Sequence, residues 1–453
     1  MKLFGSSGVR GIVNIGLTTT LAAEIGLATA TLSKAKKALV ARDTRVSGLM
    51  LENALVSGLL AGGTSAYCLG VVPTPVLAYL TRELKADVGI IITASHNPPK
   101  YNGIKIFDCD GTAYGEKKQD EIERVIGKES FRVANWRDVG EVFTVNKSHL
   151  YIEKLKENIK LNKNHHVILD PGCGATYDLA PTIFKEFECR VMALNAYADG
   201  FFSARNSEPT ADSLLPLAKV VNELGADVGI AYDGDGDRAA FVDENGDFVD
   251  FDRVLAAYAA SVVEEEGGGV VVTNVEASMC MERMVEAYGG KVVRTRVGDV
   301  YVAECIKQRN ALFGGEPCGA WIHPQFHFCP DGILSSVMLL KVLEDKNKSL
   351  SEFVAGIPQY QTLRENLTCD NKMKFDVVTV LGERLKTVFS SYEDFSSVDG
   401  VRLAFADGWV LVRASGTEPL VRITVEGESL KTAKEIMDKT KAIVKQVAGE
   451  IKK

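Results

Sequence analysis

Short apolar runs alternate with longer amphipathic stretches along most of the chain. In the first part, the runs Ala38–Ala41, Ala66–Leu69 and Val88–Thr93 predict strands, and the stretches Ser47–Leu60 and Val76–Leu84 predict the helices between them. The strand runs are continuously apolar, a pattern that is typical of a sheet covered by helices on both faces. The pattern therefore predicts an α/β fold for this part of the chain.

The same rhythm begins again twice further along the chain. After residue 150 it predicts strands at Val167–Leu169, Val191–Ala193 and Asp227–Ala231, with helices near 175–187 and 212–224. After residue 250 it predicts strands at Val270–Thr273, Lys291–Arg294 and Ala311–Gly314, with helices near 252–265, 278–288 and 299–308. Each of these units has about one hundred residues, which is the usual size of a domain.

The last part of the chain has a different pattern. Its strand-like runs Val401–Phe405, Trp409–Arg413 and Val421–Glu426 lie close together, and one helical stretch follows from about Leu430 to Val447. This order is typical of an α+β unit. We therefore predict three α/β domains and one smaller α+β domain around a shared cleft, with the bounds 1–148, 149–250, 251–360 and 361–453.

Length, charge and cysteine content exclude several classes of protein. The chain has 453 residues, too many for one hydrophobic core, and a net charge of −8. An acidic chain is a poor partner for nucleic acid or for an anionic membrane. The amino-terminal residues show no apolar stretch of a secretory signal, and the nine cysteines include no Cys-x-x-Cys pair. We expect a cytoplasmic protein with reduced thiols, either a monomer or a homodimer.

The segment 93–105 is the first that could carry chemistry. It follows a predicted buried strand and reads Thr-Ala-Ser-His-Asn-Pro-Pro-Lys-Tyr-Asn-Gly-Ile-Lys. Ligands of open α/β sheets bind beyond the carboxyl ends of strands, and the two prolines stiffen the loop around Ser95. A serine nucleophile needs an activating base or a metal, and His96 and Lys105 are local candidates for the base. A structural turn with a capping serine accounts for the segment equally well.

Three aspartates, Asp233, Asp235 and Asp237, alternate with glycines directly after a predicted strand. Their side chains repel one another unless a cation lies among them, and their hard oxygen ligands suit Mg²⁺ or Ca²⁺. An EF-hand loop would have glycine at its sixth position, where this chain has Arg238. We therefore favour a divalent-cation site in an α/β loop over an EF-hand or a solvated acidic turn.

Three further segments are weaker signals when taken singly. The segment 413–419, Arg-Ala-Ser-Gly-Thr-Glu-Pro, could cradle a phosphate together with Arg422, although Ser-Gly-Thr also describes an ordinary hairpin turn. Glu316 could accept hydrogen bonds from sugar hydroxyls, and a solvent-facing loop is an equal alternative there. In the segment 4–11, glycines permit the close approach of a ligand and Arg10 supplies positive charge.

The histidines raise a separate question. The zinc-type ligands Cys318, His323, His327 and Cys329 lie within a dozen residues, but their spacing matches no common zinc framework. We favour a substrate loop or internal packing for this group. The remaining histidines, His149, His165 and His166, are expected at the surface.

Taken together, the segments resemble the α-D-phosphohexomutase family over essentially the whole chain. Five motifs occur in the family's order and spacing, at 4–11, 93–99, 233–238, 315–319 and 413–419. The resemblance implies four domains around a central cleft and a magnesium-dependent mutase. It also implies that a phosphorylated Ser95 exchanges its phosphoryl group with a sugar monophosphate, through a sugar bisphosphate that serves as intermediate and activator.

The resemblance also implies roles for individual residues. Ser95, Asp233, Asp235 and Asp237 would hold Mg²⁺. Arg10, His96 and Lys105 would lie near the transferring phosphoryl group, with Lys105 as a candidate acid or base. The residues that it implies for substrate binding are Arg238, Asp299, Glu316, Cys318, Arg413, Ser415, Gly416, Thr417 and Arg422.

Two segments bear on the identity of the sugar. The segment 297–302, Val-Gly-Asp-Val-Tyr-Val, looks like that of members acting on glucosamine phosphate, and the segment 315–322 resembles archaeal members assigned to glucosamine or mannose phosphate. Many relatives have Ser in place of Cys318 and His in place of Ala320. The missing histidine leaves one proton-transfer or phosphate contact unfilled, and His323 or His327 is a candidate to replace it.

We therefore expect a mutase that interconverts the 6-phosphate and the 1-phosphate of glucosamine and feeds nucleotide-sugar synthesis. The alternatives are a phosphomannomutase or phosphoglucomutase of the same family, a Mg²⁺-dependent sugar phosphatase, and a non-catalytic binder of sugar phosphates. Ser95 and the three aspartates argue against the last of these, because a binding protein needs neither.

Overall fold

The computed structural model describes residues 2–5, 7–415 and 419–451. Two residues implied to bind substrate, Gly416 and Thr417, lie outside the described residues. The described strands form four sheets that follow one another along the chain. Helices alternate with strands through the first three sheets, which confirms the α/β fold that the apolar runs predict.

The first domain contains a sheet in the order β1-β2-β6-β5-β3-β4-β7. Its strands are β1 (Phe4–Gly5), β2 (Gly8–Ile12), β3 (Lys37–Arg42), β4 (Ser65–Val71), β5 (Val88–Ile92), β6 (Tyr101–Asp108) and β7 (Val142–Thr144), and its helices are α1 (Thr19–Ser33), α2 (Gly48–Ala61), α3 (Thr74–Glu83) and α4 (Glu116–Gly127). Strand β5 is buried along its whole length and runs parallel to β3. The chain returns antiparallel along β6, so Lys105 lies beside Ile91 on a strand and not in the loop.

The second domain has a four-stranded sheet in the order β11-β10-β8-β9. Its elements are α5 (Ser148–Asn158), β8 (His166–Asp170), α6 (Leu179–Glu186), β9 (Arg190–Ala193), a 3₁₀ turn (Asp212–Leu214), α7 (Leu215–Leu224), β10 (Val228–Tyr232) and β11 (Ala239–Val242). Strands β10 and β11 pair antiparallel. The aspartate triplet therefore forms the turn between these two buried strands.

The third domain repeats this arrangement with a sheet in the order β13-β12-β14-β15. Its elements are α8 (Phe251–Glu266), β12 (Gly269–Asn274), α9 (Cys280–Glu286), β13 (Gly290–Thr295), α10 (Asp299–Arg309), β14 (Phe313–Glu316), β15 (Ala320–Ile322), α11 (Gly332–Lys346) and α12 (Leu350–Val354). Glu316 is the last residue of β14, and Asp299 is the first residue of α10. Both side chains are thus at the ends of regular elements.

The fourth domain is an antiparallel sheet in the order β16-β20-β19-β18-β17. Its elements are β16 (Gln361–Thr368), α13 (Lys374–Val388), β17 (Asp394–Ser396), β18 (Val401–Phe405), β19 (Gly408–Ala414), β20 (Leu420–Gly427) and α14 (Leu430–Ile451). The two helices share one apolar core with the sheet. The α+β arrangement that the sequence predicts for this part is confirmed.

The first three domains share one core. A single cluster of buried apolar side chains contains Leu39 and Tyr79 of the first domain, Ile230 of the second, and Leu255 and Ile333 of the third, among others. A buried hydrogen bond adds to this core, since the hydroxyl of Tyr151 on α5 donates to Asp331 Oδ2 at 2.6 Å at the start of α11. These three domains therefore support one another across their interfaces. In the described ranges, no helix combines the length and apolarity that crossing a bilayer would require.

One predicted surface position is wrong. His165 is only 7% exposed. Its ring lies between Asp227 of its own domain and Glu344 of α11, with Nε2 at 3.5 Å from Glu344 Oε2. The sequence gives no sign of this burial, because the covering helix comes from the third domain.

The third and fourth domains meet through a polar junction. Glu426 on β20 accepts hydrogen bonds from Met279 N at 2.9 Å and from Trp409 Nε1 at 2.8 Å. Nearby on α8, Asp252 Oδ1 accepts a hydrogen bond from Ser278 N at 2.7 Å. Burial raises the pKa of Asp252 to about 7; the bond from Ser278 opposes this shift, and the negative charges of Asp250 and Glu426 add to it.

We expect Asp252→Asn to flatten the pH dependence of stability. In the folded protein this carboxyl keeps its proton up to about pH 7, but in the unfolded chain only up to about pH 4. The free energy of unfolding therefore falls as the pH rises between these values. Asparagine cannot lose a proton, and its Oδ1 can still accept the bond from Ser278.

Thermal unfolding measured between about pH 4 and pH 8 tests this prediction. The wild type should lose more stability toward pH 8 than the variant. Glu265→Gln removes an exposed carboxylate from the same helix and serves as the control, with the slope of the wild type. Parallel curves for Asp252→Asn and wild type would contradict the assignment.

Candidate active site

Ser95 lies at the point where the first two domains meet. Its side chain is buried, with the residue 1% exposed, and its Oγ donates a hydrogen bond to Asp233 Oδ2 at 2.6 Å. The two residues are 138 positions apart in the sequence. The structure thus brings together the two motifs that the sequence marked separately.

The backbone at Ser95 has an unusual conformation. Its φ angle is +50°, in the left-handed region that few residues other than glycine adopt. Its Oγ also lies 3.3 Å from His96 Nδ1. Burial, together with the positive charges of Arg238 and Arg10, lowers the pKa of His96 to about 3. The imidazole is therefore neutral at physiological pH and is a weak base.

The three aspartates converge in the turn after β10. Each offers a carboxylate oxygen, and these three oxygens lie within 4.8 Å of one another. Asp233 Oδ1 accepts hydrogen bonds from Gly236 N at 3.0 Å and Arg238 N at 3.2 Å. In contrast, Asp235 Oδ1 and Asp237 Oδ1 are buried without a hydrogen-bond partner among the described residues. Such oxygens are the ligands that a hard divalent cation prefers, so the donor set fits Mg²⁺.

Electrostatics at this turn follow from burial and from mutual repulsion. Burial raises the pKa of Asp233 well above its usual value, and the negative charges of Asp237 and Asp235 add to this effect. For Asp237, burial acts in the same direction, but Lys105 and Arg238 outweigh it and lower its pKa to about 2. A bound cation would relieve the same repulsion more completely.

Lys105 reaches this turn from β6. Its Nζ donates to Asp237 Oδ2 at 2.8 Å and lies 3.6 Å from Asp235 Oδ2. Burial alone would lower the pKa of Lys105, but the two carboxylates raise it above its usual value. In this arrangement Lys105 is a cation and a hydrogen-bond donor.

Arg10 and Asp299 complete the side of the cleft next to Ser95. Arg10, on β2, donates from a terminal nitrogen to Asn97 Oδ1 at 2.8 Å, and so contacts the Ser95 loop. Ser7 Oγ donates to Asp299 Oδ1 at 2.9 Å, which connects the first domain to the third.

Glu316, at the end of β14 in the third domain, is buried. Its Oε1 accepts hydrogen bonds from Asn274 Nδ2 at 2.7 Å and from Gly298 N at 2.8 Å. Burial raises its pKa, and so does the charge of Asp299. Two residues from Glu316, burial raises the pKa of the Cys318 thiol to about 12, so this thiol is neutral.

Arg238 follows the aspartate turn. Its Nε lies 3.9 Å from Asp237 Oδ1, and a terminal nitrogen lies 3.6 Å from Glu208 Oε1. Among the residues that the structure describes, the side chain thus lies next to the aspartate turn and forms long ion pairs with these two carboxylates.

The residues of the fourth domain that are predicted to bind phosphate differ in exposure and in their partners. Arg413 and Arg422 are register partners on β19 and β20, and Arg422 is exposed. Arg413 forms ion pairs with Glu276 of the third domain and, at 2.8 Å, with Asp399 Oδ2. Ser415, which follows β19, is buried. A phosphate that binds the terminal nitrogens of Arg413 would therefore compete with these two carboxylates.

The four candidate zinc ligands do not form a metal site among the described residues. His323 Nε2 lies 3.1 Å from Ser335 Oγ, and His327 Nε2 lies 2.9 Å from Asp331 Oδ2. Both histidines are 1% exposed. Both rings thus have partners inside the third domain, and a role of either one in place of the histidine missing at position 320 stays a prediction.

Sequence reasoning missed two residues that support the site. Thr74 at the start of α3 donates from Oγ1 to Asp235 Oδ2 at 2.5 Å. Asn274 at the end of β12 donates to Glu316 and so orients its carboxylate. Thr74 begins a helix and Asn274 ends a strand, and many polar residues occupy such positions. The sequence alone therefore does not identify these two as residues of the site.

Comparison with known proteins agrees with this geometry. The chain matches the four parts of one family, described as "Phosphoglucomutase/phosphomannomutase" alpha/beta/alpha domains I, II and III and C-terminal domain, over residues 1–133, 149–246, 250–360 and 365–443. It is 42% identical to a Pyrococcus abyssi protein named probable phosphoglucosamine mutase, with 98% of each chain covered. It is 44% identical to a protein of the same name from Methanococcoides burtonii, over 94% of this chain and 95% of the other.

A solved structure shows the same architecture. The crystal structure of a phosphoglucomutase/phosphomannomutase family protein from Burkholderia thailandensis superimposes with a TM-score of 0.88 at 26% identity, and covers 98% of this chain and 97% of that one. The arrangement of domains, the paired serine and aspartate loops and the sequence matches lead to one conclusion. The chain belongs to the phosphoglucomutase/phosphomannomutase family.

Proposed function

We propose that the protein interconverts glucosamine 6-phosphate and glucosamine 1-phosphate through phospho-Ser95 and a sugar bisphosphate, and so feeds nucleotide-sugar synthesis. The observation that carries the chemistry is the 2.6 Å contact of Ser95 Oγ with Asp233, beside two buried carboxylate oxygens that lack donors among the described residues. The relatives named probable phosphoglucosamine mutase, which match almost the full chain, support the choice of sugar.

The first transfer moves a phosphoryl group from Ser95 Oγ to a sugar hydroxyl. Asp233, Asp235 and Asp237 would hold Mg²⁺, which supplies positive charge to the phosphate oxygens when it is bound. Lys105 and Arg10 add positive charge from the first domain and hold the reacting groups in place. The sugar hydroxyl loses its proton as its oxygen bonds to phosphorus, and Ser95 Oγ gains a proton as its own bond to phosphorus breaks. We assign both movements to Lys105, which gives its proton to Ser95 Oγ and takes up the proton of the hydroxyl.

The sugar would be read from the third domain and its distal phosphate from the fourth. Glu316 uses Oε1 for two protein donors, which leaves Oε2 for a sugar hydroxyl. Arg413 and Ser415, with Gly416 and Thr417, would bind the phosphate that is not reacting. The bisphosphate must turn around before the second transfer, so this cradle must accept either end of the sugar.

Ser95→Ala should abolish exchange between the two phosphate positions, because alanine has no oxygen to carry the phosphoryl group. We expect a loss of more than about 1000-fold in kcat, with the fold unchanged. Phosphorus NMR measures the exchange, and intact mass spectrometry measures phosphorylation of Ser95 in the wild type. Ser57→Ala, at an exposed position on α2, is the control. Full activity in Ser95→Ala would refute the proposal.

Mg²⁺ should raise the temperature of thermal unfolding of the wild type, because it binds the folded aspartate turn and not the unfolded chain. At a concentration a hundredfold above its Kd, it would add about 2.7 kcal/mol to the free energy of unfolding. Asp235→Asn removes one charge and one ligand oxygen and should lose most of this effect. The exposed Asp247→Asn should keep it. Equal shifts in all three proteins would place the cation elsewhere.

The choice of sugar is tested by rates. With Mg²⁺ and a catalytic amount of bisphosphate, glucosamine 6-phosphate should react faster than glucose 6-phosphate or mannose 6-phosphate in phosphorus NMR spectra. A faster reaction of mannose or glucose phosphate would favour a phosphomannomutase or phosphoglucomutase. Net release of inorganic phosphate without exchange would indicate a phosphatase.

A further inference from the structure

The buried side chain of Arg45 supports the Ser95 loop through hydrogen bonds to its main chain. It lies after β3, its side chain is 0% exposed, and its Nε donates to Asp43 Oδ2 at 2.9 Å. Its terminal nitrogens donate to main-chain carbonyl oxygens of this loop and of the start of β6, at 2.8 Å for Ser95, 2.6 Å for Asn97, 2.8 Å for Pro98 and 3.0 Å for Tyr101. One guanidinium thus holds four carbonyl groups of the segment that carries the proposed nucleophile.

The partner of Arg45 also contacts this loop. Asp43 Oδ2 accepts a hydrogen bond from Thr93 Oγ1 at 2.6 Å, and the same Oγ1 accepts one from Ser95 N at 2.9 Å. Both main-chain polar groups of Ser95 are therefore held by one buried network. A left-handed serine persists only where its surroundings over-determine it, and this network does so.

Arg205 has the same relation to the aspartate turn. Its Nε donates to Asp170 Oδ2 at 2.9 Å, and both side chains are 4% exposed. One terminal nitrogen donates to Tyr232 O at 2.6 Å and to Asp170 O at 3.0 Å. Tyr232 is the residue directly before Asp233, so Arg205 fixes the point where the cation ligands begin.

Arg294 repeats the arrangement in the third domain. It forms a bidentate ion pair with Glu282, with both contacts at 2.8 Å. It also donates to the carbonyl oxygens of Asn274 at 2.9 Å, Ala277 at 2.8 Å and Ser278 at 3.2 Å. This loop carries Asn274, which orients Glu316, and Glu276, which pairs with Arg413.

We propose that Arg45, Arg205 and Arg294 are positioning residues, each for one task of the reaction. Arg45 positions the phosphoryl carrier Ser95, Arg205 positions the cation ligands, and Arg294 positions the groups that read the sugar and its distal phosphate. The inference rests on the proposed mutase reaction. It adds that three similar arginine–carboxylate pairs support three different parts of the site. A substitution of each arginine should therefore change a different measured constant.

The chemistry of the guanidinium explains the choice of residue. Irregular loops have carbonyl groups without partners from a sheet, and burying such groups unpaired is costly. A guanidinium presents five N–H donors in a plane, whereas an ammonium has three donors on a single atom. Lysine therefore keeps the charge opposite the carboxylate but cannot reach the same set of carbonyl oxygens.

The test compares Arg45→Lys, Arg205→Lys and Arg294→Lys in the full chain. For each variant, kcat and KM are measured with glucosamine 6-phosphate, the Kd of Mg²⁺ by isothermal titration calorimetry, and the unfolding temperature by calorimetry. Arg132→Lys is the matched control, since Arg132 also donates to two main-chain carbonyl oxygens, those of Ala30 and Gly62, but on an exposed face away from the site. It should behave as wild type.

Each variant has its own expected result. Arg45→Lys should lower kcat by about 100-fold with the Kd of Mg²⁺ unchanged, because a small displacement of the reacting oxygen is enough. Arg205→Lys should raise the Kd of Mg²⁺ by about 10-fold or more, as expected when the supports of metal ligands are disturbed. Arg294→Lys should raise KM by about 10-fold and leave the Kd of Mg²⁺ unchanged.

The inference fails if the three variants share one pattern, or if each changes only the unfolding temperature. If a lysine variant does not fold, the corresponding Asp43→Asn, Asp170→Asn or Glu282→Gln keeps the arginine and an acceptor oxygen, and should show the same signature in weaker form. Failure of the proposed function is recognised separately, because the wild type itself would then show no exchange. The Mg²⁺ titrations of wild type and Arg205→Lys would still decide the role of Arg205.

Discussion

The burial of three carboxylates within 4.8 Å of one another is the constraint on which the rest of the cleft depends. Two like charges 4 Å apart repel by about 4 kcal/mol at an effective dielectric constant of about 20, so three ionised carboxylates together would oppose folding strongly. Lys105 offsets part of this repulsion by direct contact, and Arg238 lies next to the turn. The position of Lys105 in turn requires β6, which carries its side chain from the first domain into the second.

The same constraint bears on the proposed phosphorylation of Ser95. A phosphorylated Ser95 would bring nearly two further negative charges to the turn, and a divalent cation would bring two positive ones. In the proposed reaction the total charge at the turn would then be similar before and after each transfer. Without a cation, a dianion at Ser95 would face Asp233 at hydrogen-bond distance.

The first three domains are joined by an apolar core, whereas the fourth domain contacts the third mainly through polar side chains. The first three domains share a large apolar core, which keeps Ser95 and the aspartate turn in one frame. The fourth domain meets the third through the small apolar cluster of Val275, Trp409 and Leu411, through Glu426, and through the ion pairs of Arg413. A phosphate can replace ion pairs of this kind, whereas no ligand replaces a shared core, and this difference supports the proposal that the fourth domain binds the distal phosphate.

The sequence predicts the parts of the site whose chemistry is local. The aspartate triplet is predictable because carboxylates that repel one another at such short spacing require a cation. The stiffness of the serine loop is predictable because two adjacent prolines restrict the backbone in any surroundings. The α/β rhythm predicts most strands and helices in the same way, since fully buried strands must be apolar. The family resemblance then supplies roles that the residues alone leave open.

What the sequence does not predict depends on distant contacts. Strand β6 was not expected because the prolines before it and its own asparagine and glycine look like a loop, and its pairing with β2 and β5 decides the outcome. His165 is buried by a helix from another domain. Arg413 was expected to be available for phosphate, and its partner Glu276 comes from a loop more than one hundred residues away.

The buried arginines also depend on contacts between residues that are distant in the sequence. Their presence follows from the need of the loops for hydrogen-bond donors. Functional loops at the carboxyl ends of strands must leave the sheet in order to point side chains at a ligand, and their carbonyl groups then lose ladder partners. Water cannot satisfy these groups in a closed cleft, so a donor must come from the protein. A guanidinium satisfies several at once but is itself a buried charge, and it therefore requires a carboxylate such as Asp43, Asp170 or Glu282 beside it. The rigidity of each loop and the presence of an arginine–carboxylate pair beneath it thus have a single physical cause.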